Sequence, residues 1–207
     1  MCISDLRTRQ RELGRQAIVD TCADLVTERH HLDFSMREVA EQAGVSLRTV
    51  YNHFPTRDDL LEALKEEFGQ RMAQLGGVRH EDVKDLDGLL GAVATNNRIF
   101  RDLGPISGAL AQLPLANVGE DAQRSERTVA LVEMFTDAMA DVPEDQARPI
   151  ALVMRHMLSH RSWFWLTHEY GLDTDTATTV VQWAIRALVD AAEHGNLPST
   201  TQDNDVP

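Results

Sequence analysis

Two cysteines in 207 residues, Cys2 and Cys22, are too few and too poorly spaced for a disulfide framework or a metal motif. Cys22 stands among apolar neighbours and reads as a small buried hydrophobe. No apolar run approaches the ~18 residues that a membrane-spanning helix needs. Residues 1–11 are polar and lack the apolar stretch of a signal peptide. A cytoplasmic chain with no membrane partner is expected. A Gly-rich phosphate loop, an HExxH pair and the Ser/His/Asp or Cys/His patterns of nucleophilic catalysis are also missing. No catalytic residue and no cofactor is therefore expected, and an enzyme is the least favoured class. What is present is ordinary for a folded protein: 43% apolar and 26% charged residues, in a chain long enough to bury a core.

Positive charge is the remaining shortage. The chain carries a net −13, but unevenly: residues 1–57 hold eight Arg against eight Asp and Glu, so the rest carries the whole excess. A neutral head with Arg7, Arg9, Arg11 and Arg15 near its start is joined to an acidic body. Long-range attraction to DNA would be weak, and charge alone does not point to nucleic acid.

Helical periodicity runs through almost the whole chain, with no alternating strand pattern. Helices are predicted over 11–29, 36–42, 47–53, 57–75, 86–103, 106–113, 120–140, 147–170 and 175–194. Gly76–Gly77, Gly104–Pro105, Pro114, the stretch Pro143–Pro149, Gly171 and Gly195–Asn196 divide them. The expected fold is all-α, with a small three-helix head over 1–56, a larger helical body over 57–196 and a flexible tail over 197–207.

The head contains the run Ser35–Pro55, SMREVAEQAGVSLRTVYNHFP. Ser35 and Glu38 make a capping box that starts a helix at Met36. Gly44 supplies the positive φ of a tight turn, and Ser46 caps the next helix. Ala40, Gly44 and Val50 are spaced for two helices crossing steeply around a three-residue turn. The second helix, Leu47–His53, has little apolar surface beyond Val50 and the following Phe54. Its outward Arg48, Thr49, Asn52 and His53 are hydrogen-bonding types suited to groove edges and phosphates. A polar helix this short is not explained by burial alone. Arg48 suits a guanine edge or a phosphate equally; Thr49 and Asn52 suit base edges, and the Tyr51 hydroxyl and His53 suit phosphates.

The stretch Phe34–Leu61, FSMREVAEQAGVSLRTVYNHFPTRDDLL, resembles the DNA-binding signature of the tetracycline-repressor (TetR) family. The likeness lies in the Ala-Gly-Val-Ser turn, the Thr-Val-Tyr-x-His-Phe helix and the Pro-Thr-Arg-Asp-Asp-Leu-Leu opening of the next helix. Helix 11–29, with Leu13, Ala17, Ile18, Cys22, Leu25 and Val26, fits the family's first helix. The resemblance implies an all-α homodimer whose C-terminal domain binds a small-molecule effector and thereby releases double-stranded operator DNA. It places Thr49, Tyr51, His53 and Arg57 at the DNA, and Ser46, Arg48 and Asn52 complete the candidate interface. Arg57 stands where the family often has Lys, which keeps the charge. Leu47–Arg48 replaces a common Lys-Gly or Arg-Gly pair, which leaves base preference open.

In the body, helix 175–194 carries two apolar stripes: Ala177, Val180, Ala184, Ala187 and Ala191, and beside them Val181, Ile185, Leu188 and Ala192. Burying both calls for a four-helix contact between two subunits involving helix 147–170; burial inside one subunit is the alternative. A single helix over 147–170 would put His156, His160 and Trp163 on one face, as core, as interface or, less favoured, as a metal pair. Phe100, Met134, Met157, His160, Trp163 and Phe164 are the candidate effector-binding residues, with Asn96, Asn97 and Arg98 as polar groups able to orient a ligand. A DNA-binding protein of the same fold with no small-molecule effector is the competing function.

Overall fold

The computed structural model of the chain describes residues 3–29, 33–112 and 121–198. Their regular elements are helices in the order α1 (Ile3–Arg29), α2 (Met36–Gln42), α3 (Leu47–His53), α4 (Arg57–Gln74), α5 (Leu86–Leu103), α6 (Pro105–Gln112), α7 (Asp121–Asp137), α8 (Glu144–Met157), α9 (His160–Phe164) and α10 (Thr174–Glu193). A single 3₁₀ turn, His80–Asp82, precedes α5. The chain forms two compact units: Met1–Gly77 with Ile99–Asn117, and Val78–Arg98 with Val118–Pro207. The first unit therefore takes in α4 and the end of α5 besides α1 to α3. The reason is burial. Leu60, Leu61, Ala63 and Leu64 of α4, with Ile99, Leu103, Ile106 and Ala109, complete the same core as α1 to α3.

In the first unit α1 buries Ile18, Val19, Cys22, Ala23, Leu25 and Val26, pairs recurring every three to four residues as one helix face requires. Leu13 and Ala17 fall out of phase with that face and are exposed, which corrects the expected stripe. The helix also begins eight residues earlier than predicted; nothing in the polar start breaks a helix, and absence of an apolar stripe had hidden it. Burial pushes the Cys22 thiol up to about 12, so it stays a neutral core group.

The second unit closes over Leu89 and Leu90 of α5, Leu131, Val132 and Phe135 of α7, Ala147, Ile150, Ala151 and Met154 of α8, and Val181, Ile185 and Val189 of α10. The predicted continuous helix 147–170 is broken. Ser159 adopts an extended backbone and its hydroxyl accepts from the Ser162 N–H, so a new helix starts at His160. After Phe164 the chain loosens into a π-turn, Trp165–Glu169. Pro149 lies inside α8 without stopping it. Leu197, predicted to begin the tail, packs against this second core. The expected break at Pro114, the tail from 199 onward and Cys2 lie outside the described residues.

The turn between α2 and α3 meets the prediction in detail. Gly44 has φ +67°, the Val45 N–H donates to Ala40 O at 3.0 Å, and the Gly44 N–H donates to Glu41 O at 3.3 Å. This is the double-bonded helix ending that a left-handed residue permits. A Cβ at Gly44 would meet nothing within 4 Å, so a substitution there tests backbone strain alone. Gly44→Ala should lower unfolding stability by about 1–2 kcal/mol and Gly44→Asn by less, read from urea denaturation midpoints. Equal stability of all three proteins would remove the left-handed turn from the account.

Candidate nucleic-acid interface and body crevice

Three caps set the geometry of the head. The Ser35 hydroxyl accepts from the Glu38 N–H at 3.2 Å and the Glu38 carboxylate accepts from the Ser35 N–H at 2.7 Å. The Ser46 hydroxyl accepts from the Thr49 N–H at 3.0 Å. Thr56 and Asp59 repeat the reciprocal box at the start of α4. Each cap satisfies N–H groups that a helix start leaves open and fixes where the helix points.

Between these caps, α3 buries Val50 completely and is followed by Phe54, 2% exposed. Docking these two residues turns the opposite face outward. Ser46, Arg48, Tyr51 and Asn52 are exposed, and Thr49, His53 and Arg57 are half-buried. Among the described residues the side chains of Arg48, Tyr51 and Asn52 form no hydrogen bond and no ion pair. Ser46 and Thr49 share a hydroxyl–hydroxyl bond of 2.7 Å. Arg57 stacks its guanidinium over Phe34, 4.6 Å from the ring centroid. The seven predicted interface residues thus lie on or beside one short helix, and of these Arg48, Tyr51 and Asn52 keep their side-chain donors and acceptors open to solvent.

Helix α1 adds groups beside the end of α3. Arg15 lies over the Phe54 ring at 5.1 Å and pairs with Glu66 at 3.6 Å. A Cβ on Gly14 would sit 3.7 Å from His53 Nε2, so α1 passes beside the end of α3. Partial burial, then the positive charges of Arg11 and Arg15, lower the His53 pKa below its usual value. The side chain of Arg7 lies outside the described residues.

In the second unit a crevice is lined by Asn97, Met157, Leu158, Ser159, Trp163, Leu166, Ala177 and Val181. It is shallow and open, with a cavity volume of only about 10 Å³, room for about one water molecule. Of the six predicted effector residues, Met157 and Trp163 line it. His160 stacks on Trp163 at 5.8 Å, and Phe164 is buried against His168 at 4.2 Å. Met134 packs against the second core, and Phe100 stacks on Phe68 at 5.9 Å in the first unit. Asn96 ties down Val78 through both its amide atoms, and Arg98 pairs with Asp175 at 3.2 Å. Only Asn97 of that polar trio faces the crevice. The break at Ser159 separates exposed His156 from His160, so the expected His156–His160–Trp163 face does not form. Among the described residues no three metal-ligating side chains gather.

Two short helices joined by a left-handed glycine turn, the second presenting Arg48, Tyr51 and Asn52 to solvent, have the form of a helix-turn-helix DNA-binding unit. Residues 18–64 match the family model described as bacterial regulatory proteins, tetR family. An uncharacterized HTH-type transcriptional regulator of Mycobacterium tuberculosis is 30% identical over 156 residues, 74% of this chain and 77% of that protein. One from Haemophilus influenzae is 34% identical over 74 residues, 35% and 36% of the two chains. Among solved structures, a TetR-family regulator from Syntrophomonas wolfei matches with TM-score 0.55 at 17% identity, over 86% of this chain and 96% of its own. NalD, the secondary repressor of the MexAB-OprM multidrug efflux pump in Pseudomonas aeruginosa, matches with TM-score 0.54 at 16% identity, over 93% and 99%. The chain belongs to the TetR family of helix-turn-helix transcriptional regulators and is not an enzyme. No helix among the described residues is long and apolar enough to cross a membrane.

Glu38 gives this head a pH limit. The hydrogen bond from Arg29 at 2.8 Å, then those from Ser35, hold its carboxyl at about 2, below the ordinary 4.5. A depressed folded pKa means that this stabilisation is complete above about 4.5 and is lost as pH falls toward 2. Glu38→Gln should lower the melting temperature at pH 6 and close most of that gap by pH 3, as measured by circular dichroism. A gap that stays constant with pH would exclude the ionised box.

Proposed function

We propose that the chain is a cytoplasmic homodimeric repressor that grips a palindromic operator through one head per subunit and lets go when a small molecule binds its body. The observation that carries the reading is the outer face of α10. Val181, Ile185 and Ala192 are spent on the chain's own core. Val180 and Trp183 remain 50% and 69% exposed, with exposed Ala187 between the half-buried Ala184 and Ala191. On α8, Leu152 and Val153 are likewise exposed at 43% and 56%. Large apolar groups on the outer faces of two consecutive long helices match what a two-fold four-helix contact would bury.

At the DNA, Arg48, Tyr51 and Asn52 meet base edges and phosphates with donors that no neighbour has claimed. Ser46, Thr49, His53 and Arg57 frame them. Two heads are needed because one seven-residue helix offers few contacts and the chain has no strong positive field to add to them. Effector control requires a ligand that prefers one arrangement of the dimer to the other. Helix α5 is suited to carry that preference, because Asn97 of the crevice stands two residues before Ile99 of the head's core. A second reading, a DNA binder of the same fold without an effector, draws on the small enclosed volume of the crevice.

Selection from random duplexes with the purified chain should enrich an inverted repeat. Trp183→Glu should give a monomer by analytical ultracentrifugation and lose the full repeat while its circular dichroism stays native. An unrepeated selected site, or a dimer that survives Trp183→Glu, would sink the reading. At the selected site Arg48→Ala should cost ~1–3 kcal/mol and relax one position if Arg48 reads a base; uniform weakening across sequences assigns it to a phosphate.

A further inference from the structure

We infer that Arg11 and Arg15 of α1 and His53 of α3 together form a site for one DNA backbone phosphate, and that filling it draws a proton onto His53. Operator affinity then rises as pH falls through the neutral range. This deepens the reading of the head as the DNA-facing part of the chain and rests on it.

The three groups meet where α1 passes the end of α3. A Cβ on Gly14 would lie 3.7 Å from His53 Nε2, and Arg15 follows Gly14 directly, with Arg11 one helical turn before it. The Arg15 guanidinium lies over the ring of Phe54, the residue after His53, at 5.1 Å. Both guanidiniums are close enough for their charge to act on the His53 ring. What the cluster lacks is an anion. Arg15 has Glu66 of α4 at 3.6 Å, but that carboxylate side chain is 59% exposed, so the pair is weak. Among the described residues Arg11 makes no ion pair, and neither ring nitrogen of His53 makes a hydrogen bond.

The setting of His53 runs against its place in the helix. A histidine in the last turn is ordinarily favoured as the cation, because the carbonyl end of a helix is negative. Here partial burial, then the charges of Arg11 and Arg15, hold it below the ordinary 6.5. A phosphate against the two guanidiniums offsets their charge at the ring, and a protonated ring adds a charge-assisted N–H donor to it. DNA is the source because a duplex that offers base edges to exposed Asn52 brings its backbone to the end of the same helix. The complex then binds more protons than the free head. Affinity is level at high pH, climbs as pH falls through the raised value of the complex, and levels again below that of the free head. The climb is at most about tenfold per pH unit per head.

The test uses the full chain and a duplex obtained by selection, with binding read by anisotropy of labelled DNA from about pH 8.5 to about pH 5.5 at constant salt. His53→Gln keeps a hydrogen-bond donor but does not titrate, and should remove most of the pH slope; circular dichroism checks that it folds. Other histidines and the acidic body also become less negative as pH falls, and that background persists in His53→Gln. Arg11→Gln, at an exposed position, should weaken binding and lower its salt dependence by about one phosphate contact per head. Nuclear magnetic resonance of the His53 ring should place its midpoint below 6.5 in the free chain, higher in free Arg11→Gln, and above 6.5 in the complex. Equal slopes in the native chain and His53→Gln, or a His53 midpoint unmoved by DNA, would overturn the inference while DNA binding stands. An equal rise with inorganic phosphate alone would make the occupant a free anion and overturn the DNA assignment. A chain that binds no duplex at any pH overturns the reading of the head as well.

Discussion

A helix of seven residues with one buried side chain cannot hold itself together in water, because its few internal bonds do not offset the cost of starting it. Everything that makes this chain a DNA reader depends on docking that helix. Val50 and Phe54 insert into the core of α1, α2 and α4, Gly44 turns the chain sharply enough to let them do so, and Ser46 closes the helix start. Once those positions are held, Arg48, Tyr51 and Asn52 have nowhere to point but outward. Their hydrogen-bonding capacity is then kept for another molecule, with no rearrangement needed to expose it.

Electrostatics works locally in this protein. Several cationic groups near the head already have anionic partners: Arg15 with Glu66, Arg29 with Glu38, Arg71 with Asp20 and Glu67. Such exposed pairs add little stability, but they leave few charges to attract a polyanion from a distance. The acidic excess of residues 58–207 reinforces that. DNA binding must then come from close contacts by a correctly oriented head, with little help from a long-range field.

The helix-turn-helix was legible in the sequence to the residue, since capping boxes, a positive-φ glycine and single buried anchors are local devices with local signatures. Helices α2 and α3 stand where their spacing puts them. The body was less legible. Its second long helix breaks at Ser159, because a serine inside an otherwise helical pattern either continues the helix or caps a new one, and packing decides. That break removed an expected histidine face. Asn97 gave no sequence signal beyond its polarity, as nothing local shows that Thr178, 81 positions away, would orient its amide.

By itself, then, the amino-acid order determined the class of protein, the position of the recognition helix and which of its side chains are polar. The tertiary structure decided which polar groups are left unsatisfied, because satisfaction depends on partners distant in sequence. It also decided where the two units divide: Ile99 and Leu103 find their apolar partners in the head, although they belong to a helix that begins in the body. Local rules act over one helical turn, whereas burial and hydrogen-bond direction are settled only when distant segments meet.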